Sequence, residues 1–108
     1  MIAIKNIVVA TDFGEPADVA LTYGRNFARA FSAHLHVVHV VNDLAAAAPV
    51  SEIPMDLTKV QAQVEAEARA SLDAIITDDD QRTLKVTKKL LSSTSPARAI
   101  LDYAKDVN

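Results

Sequence analysis

The strand predicted over Ile4 to Ala10 closes in Ile7-Val8-Val9-Ala10, apolar on both faces, and runs through Thr11-Asp12-Phe13-Gly14-Glu15-Pro16 directly into an amphipathic stretch. A strand with one wet face alternates apolar and polar residues. One that is apolar on both must be covered on both, as strands of parallel α/β sheets are. Open sheets of that kind bind ligands beyond the carboxyl ends of their strands, and the residue delivered there is a carboxylate, Asp12.

Downstream the pattern alternates strand and helix. Pro16 suits a first helical position, where its missing N–H would be unpaired anyway, and Ala20, Gly24, Phe27, Ala28 and Phe31 then fall on one predicted face. Gly24 in that stripe costs about 1 kcal/mol of helix propensity relative to Ala, acceptable where helix and strand approach closely. Ser32-Ala33 ends the helix, and His34 to Val41 reads as a central strand. The long stretch Asn42 to Asp56, with Pro49 and Pro54, reads as a mobile flap or a short helical turn. Asp56 would cap a helix whose stripe is Leu57, Val60, Val64, Ala68, Leu72 and Ile75, ending in a solvated Asp78-Asp79-Asp80 turn. Leu84, Val86 and Leu90 alternate with Lys85, Thr87 and Lys89, a strand suited to a sheet edge. Ser95 caps a last helix with Pro96 first and Ile100, Tyr103, Ala104 and Val107 inward. Each strand is followed by a helix, so the fold class is α/β: a doubly wound, open parallel sheet with helices on both faces.

Half of the 108 residues are hydrophobic and 23% are charged, which fits one globular domain. A net charge of -3 with scattered Lys and Arg gives no basis for nucleic-acid binding or for an anionic membrane surface. Without Cys there is no disulfide, thiolate nucleophile or Cys-ligated zinc. The run Leu35 to Val41 is interrupted by His36 and His39 and is too short to span a bilayer. No signal-peptide pattern opens the chain, and a cytoplasmic protein is expected.

With the Lys-rich third strand at one edge and the second strand central, the first strand occupies the other edge. Its apolar residues are ill-suited to that place, so two further strands are expected beyond Asn108, needing roughly 35 to 45 residues at ordinary element lengths. A truncated chain or a second copy supplying the cover are the alternatives.

Ile7 through Pro16, then Leu35-His36-Val37-Val38-His39-Val40-Val41, then Ser95-Pro96-Ala97-Arg98-Ala99-Ile100-Leu101-Asp102-Tyr103-Ala104, resemble in that order the universal stress protein family. The resemblance covers essentially the whole chain. It implies a single domain over residues 1–108 lacking its C-terminal portion, with strand order 3-2-1-(4-5) and the last two strands absent. It further implies an adenine nucleotide, ATP or AMP, held near the ends of the first two strands. By motif position that carries over to Ala10, Thr11 and Asp12, and to Val40 after His39. Mg or Mn would accompany the phosphates, the protein would be a homodimer acting in stress response, and no turnover is implied. The family's nucleotide-binding members hold the phosphates with a Gly-x-x-Gly and a later Gly-Ser or Gly-Thr after the fourth strand. This chain has only Gly14 and Gly24, so it lacks that cradle of backbone N–H groups. Gly14 stands where the family often has a Ser cap, and Thr94 where a Gly often precedes the last helix. The other reading within the family is a homodimeric interaction module that binds no nucleotide.

Other chemistries fit less well. His34 and His36 share a strand face but His39 points to the other, and zinc needs three or four converging ligands. Asp78-Asp79-Asp80 lacks the spacing of a calcium loop. Ser92, Ser93, Thr94 and Ser95 are explained by a capped strand-to-helix loop without phosphorylation. A phosphorelay receiver needs an acidic pair where Asp12 is followed by Phe13, and a phosphoacceptor Asp where Leu90-Leu91-Ser92-Ser93 stands. No Gly-x-Ser-x-Gly elbow is present.

Overall fold

The computed structural model describes residues 3–44 and 57–107. Its elements are β1 (Asn6–Ala10), α1 (Glu15–Phe31), β2 (His34–Asn42), α2 (Leu57–Ile75), α3 (Asp78–Thr83), β3 (Lys85–Ser93) and α4 (Pro96–Val107). Most of the expected flap or helical turn between Asn42 and Asp56, and the Asp56 cap, lie outside the described residues. Among those residues no helix is long and apolar enough to cross a membrane.

The sheet is parallel, with order β1-β2-β3. β2 is central, and Leu35, Val37 and Val38 are fully buried on its two faces. In register, Ile7 lies beside Leu35 and Val9 beside Val37, while Val86 lies beside Leu35 and Leu90 beside His39. These residues form the face that packs with Leu21 and Ala28 of α1, Leu72 of α2 and Ile76 into the main core. The opposite face carries Asn6, Val8, His34, His36 and Val38 and is covered by α4, so helices flank both faces as the alternation predicts.

α1 sits on the sheet through Leu21, Gly24 and Ala28, not through the whole predicted stripe. Ala20 is exposed, and so are Phe27 at 54% and Phe31 at 40%, which continue Val19 and Tyr23 as a ridge on the outer side. The close approach at Gly24 sets this rotation. A Cβ there would stand 2.5 Å from Val9 Cγ2 and 3.4 Å from Leu35 Cδ1, so the helix turns its one side-chain-free position onto β1 and its aromatic residues outward. Ser32 then stops the helix in the left-handed region at φ 53.

α2 packs its buried apolar side chains on the sheet through its C-terminal half, while Gln61 in its first half donates to the Asn42 carbonyl at the end of β2 at 3.0 Å. Ala68 and Leu72 are buried, whereas Val60 and Val64, predicted on the same stripe, remain 42% and 37% exposed. The Asp78-Asp79-Asp80 segment is not a solvated turn. It opens α3, where Thr77 and Asp80 form a reciprocal capping box. Asp80 is 2% exposed, and its carboxylate accepts from Arg25 Nε at 2.9 and 3.0 Å. Arg25 also donates to the Ile75 carbonyl at 2.7 Å, so a charge on α1 closes the α2-to-α3 corner. Burial alone would raise the Asp80 pKa. The Thr77 hydrogen bonds and the Arg25 guanidinium outweigh it and hold the carboxyl below its ordinary 3.8.

Two outcomes follow from this packing. Gly24→Ala should destabilise the fold by about 1–2 kcal/mol in urea unfolding, because overpacking against a stiff Val side chain exceeds the roughly 1 kcal/mol gained in helix propensity. Adding Val9→Ala should relieve part of that clash, seen as a positive coupling between the two sites. Asp80→Asn should cost about 2–3 kcal/mol at neutral pH by leaving Arg25 without its counterion. A depressed carboxyl contributes stability above its ordinary value and loses it as pH falls below, so the difference from wild type should shrink as pH drops through 3.8.

Candidate functional site

β1 is shorter than the strand it pairs with, and that mismatch makes the site. Pairing ends at Ala10 beside Val38, while β2 continues to Asn42. The backbone of β1 makes one more contact, Thr11 N–H to the Val38 carbonyl at 2.8 Å, and then turns away. Parallel strands point alternate residues' backbone groups toward the same neighbour, so the Val40 N–H and C=O face the space β1 vacates.

The turn from Thr11 to Gly14 is built by its own side chains. Thr11 is 6% exposed, and its Oγ1 accepts from the Phe13 N–H at 3.0 Å. Asp12 Oδ1 accepts from the Gly14 N–H at 2.8 Å, an Asx-type closure that leads into α1. Phe13 takes φ 66, uncommon for a residue with a bulky side chain. Its ring rests on that of His39 at 4.4 Å between centroids. His39 Nδ1 lies 2.6 Å from the Thr11 carbonyl, and since a carbonyl only accepts, Nδ1 carries the proton. A Cβ on Gly14 would meet Asp12 Oδ1 at 3.0 Å, which suits a glycine rather than a Ser to this cap.

Ala10, Thr11, Asp12 and Val40 line one cavity of about 380 Å³ at this end of the sheet. The rest of its lining is Ala17 from α1, Val38 and His39 from β2, and Pro96 and Ile100 from the start of α4. All four residues carried over by motif position are thus brought together. Sequence reading missed Ala17, Val38, Pro96 and Ile100 as walls and treated His39 only as a metal candidate. The signal that could have found Pro96 was the alternation itself, because the crossover after β3 brings the start of α4 to the same end of the sheet. The lining holds one carboxylate and neither Lys nor Arg. Among the described residues, no three His, Cys, Asp or Glu side chains converge as metal ligands.

Comparison with known proteins follows the fold. The sequence profile of the Universal stress protein family matches residues 3–108. The universal stress protein UspA from Lactobacillus plantarum superposes with a TM-score of 0.72 at 26% identity, over 98% of this chain and 72% of that one. A universal stress protein family member from Burkholderia pseudomallei superposes with a TM-score of 0.68 at 22% identity, over 94% of this chain and 73% of that one. Among curated proteins none matches the chain.

The turn chemistry is directly testable. Thr11→Val keeps the shape but leaves the Phe13 N–H without its acceptor, and should cost about 1–2 kcal/mol. Amide hydrogen exchange at Phe13 should accelerate, while exchange in the centre of β2 follows only the global change in stability.

Proposed function

This chain belongs to the universal stress protein family, and from that premise we propose that it binds an adenine nucleotide as a regulatory ligand, through the adenosine end, in the cavity beyond β1 and β2. The observation that carries the reading is the convergence of Ala10, Thr11, Asp12 and Val40 on that cavity. Apolar walls from Val38, Pro96 and Ile100 suit a planar base. The Val40 backbone, beyond the last β1 pair, offers one donor and one acceptor to its edge, the kind of pairing that fixes orientation in a mostly apolar site. Asp12 accepts hydrogen bonds and suits ribose hydroxyls. With a carboxylate and no cation in the lining, the phosphates belong outside this wall, where Mg or Mn would accompany them. The ligand is read as a regulator and not as a substrate.

A second reading has its own observation. Val19, Tyr23 and Phe27 are each more than half exposed on the outer side of α1, the helix that packs on β1. That surface suits a homodimeric or hetero-interaction module in the same cytoplasmic stress-response role, with no nucleotide required.

Calorimetric titration of the chain with ATP, AMP and adenosine separates the two. The adenosine-end reading expects all three to bind with affinities within about tenfold of one another. It also expects Asp12→Ala to weaken each by roughly tenfold or more, in line with loss of hydrogen bonds to a charged group. Absence of binding by all three overturns the first reading and leaves the second.

A further inference from the structure

The two edges of the sheet are built differently. β3 carries Lys85, Lys88 and Lys89, charge of the kind that discourages pairing with another chain. β1 has neither a charged residue nor a proline. Its ladder to β2 uses alternate residues: the Thr11 N–H donates to the Val38 carbonyl, and the Lys5 carbonyl accepts from the His34 N–H, each at 2.8 Å. Lys5, Ile7, Val9 and Thr11 therefore turn their backbone groups toward β2, and Asn6, Val8 and Ala10 turn theirs outward. Among the described residues no strand pairs with that outward side.

The apolar ridge of α1 faces out over this same edge. α1 packs on β1 and β2, whereas α2 packs on β2 and β3, and α3 on β3. Arg25 and Arg29 reach toward that second group: Arg25 donates to Asp80 and Ile75, and Arg29 to Asp80 and Thr83. Each residue turns a helix by about 100°. With Gly24 down on Val9, Tyr23 and Phe27 therefore stand on the flank opposite the two arginines, past β1 and away from the other helices. On the other face α4 sits mainly over β2 and β3, with the Tyr103 hydroxyl 2.9 Å from His36 Nδ1 and the His36 ring stacked on His34 at 4.0 Å.

We propose that a second copy of this chain covers the edge: two β1 strands pair antiparallel about a two-fold axis through Val8, and the two α1 ridges close against each other above them. The surface is self-complementary in this arrangement. A two-fold perpendicular to the sheet reverses the strand but keeps each face on its own side, so α1 meets α1. Val8 exchanges both backbone bonds with its counterpart, and Asn6 exchanges both with Ala10, which uses every outward group of β1. Because Gly24 stands on Val9, the axis passes at the level of Tyr23. There the two tyrosines meet, and Phe27 of each copy reaches Val19 of the other. Strands about 4.8 Å apart, with α1 lying across β1 and β2, put the helix axes about 8–10 Å apart, an ordinary packing distance. One residue beyond the pairs, Lys5 faces Thr11 of the other copy, next to an Asp12 of which only Oδ1 is engaged within its own chain. Each end of the seam thus joins opposite charges. Taking an aromatic side chain as about 150–250 Å², the exposed parts of Val19, Tyr23, Phe27 and Phe31 come to roughly 400 Å² per copy. With the strand edges the pair buries on the order of 1,200 Å², the low end of stable interfaces, so a micromolar dimer is expected. The lysines of β3 keep the opposite edge from adding further copies. The interface rests on the ridge that carries the second reading above and gives it a partner, and it does not depend on nucleotide.

Amide hydrogen exchange of the full chain at two concentrations reads the seam residue by residue. On dilution from about 200 μM to about 2 μM the Asn6, Val8 and Ala10 amides should lose roughly fivefold or more of their protection, while Ile7 and Val9, bonded to β2 in either state, change by less than about twofold. Sedimentation equilibrium should show a monomer–dimer equilibrium over the same range. Val8→Pro removes the N–H at the centre of the seam, which makes no bond within its own chain, and an edge strand tolerates proline there. Tyr23→Lys sets two like charges at the axis. Both variants should be monomeric with unchanged circular dichroism. The chain has no Cys, so Val8→Cys is a clean reporter: a hydrogen-bonded antiparallel pair holds its Cα atoms about 5.5 Å apart, within disulfide reach. Mild oxidation should link it as a dimer and should not link Leu101→Cys, placed at an exposed position of α4. A wild type that stays monomeric at about 200 μM overturns the proposal. So does a dimer that survives Tyr23→Lys and leaves Val8→Cys unlinked, since its contact lies on another surface. Should Val8→Pro fail to fold, Tyr23→Lys and Val8→Cys decide. A chain that dimerises through Val8 but binds no nucleotide refutes the nucleotide reading alone, and a monomer that binds nucleotide refutes the interface alone.

Discussion

Everything in this fold leans on β2 being buried on both faces and paired on both edges. Leu35, Val37 and Val38 are at 0% exposure, a degree of burial available only to a strand with a neighbour on each side and a helix on each face. That single requirement orders the sheet. It places β1 and β3 on either side of β2 with parallel register, and it assigns α1 and α2 to one face and α4 to the other. The candidate site is then a by-product of length: β2 reaches Asn42 while β1 stops at Ala10, and the backbone left unpaired by that difference faces a cavity.

The two faces are not equivalent. The face under α1 and α2 is a dry cluster running from Val9 through Leu35 to Leu72. The face under α4 carries an imidazole stack. Among the described residues the buried polar or charged ones are Thr11, His36 and Asp80, and no buried polar side-chain atom there lacks a partner. Each of the three stands at a joint between elements. Thr11 shapes the exit of β1, Asp80 closes the α2-to-α3 corner against α1, and His36 ties α4 to the strands. Apolar contact fills the interior, and directional bonds set the angles at which helices meet it, because a satisfied buried polar group tolerates only one geometry.

The parallel order and the place of each element were legible because they rest on composition along single strands: apolar on both faces for β2, Lys-studded for β3. The place of Thr11-Asp12 was legible because a strand running into a helix delivers its last residues to the carboxyl end of the sheet, where they line the cavity. Helix rotation was not. The stripe through Phe27 and Phe31 satisfies helical spacing as well as the one through Leu21 and Ala28, and only the contact of Gly24 with Val9 chooses between them. Asp80 was misread for a related reason. A run of three aspartates looks solvated by composition; the Thr77-x-x-Asp80 spacing is the local mark of a capping box, whereas only the fold brings Arg25 to that carboxylate.

Asp12 both closes the turn into α1 and lines the cavity. Oδ1 is committed to the Gly14 N–H, which fixes the carboxylate in one rotamer at the cavity mouth. Among the described residues Oδ2 has no protein donor, so the negative charge is only partly neutralised and is directed outward. A carboxylate presented this way attracts hydroxyl donors and repels phosphate. On the proposed reading, this end of β1 and β2 would take the neutral, hydroxyl-bearing part of a ligand, because the lining holds one carboxylate and neither Lys nor Arg.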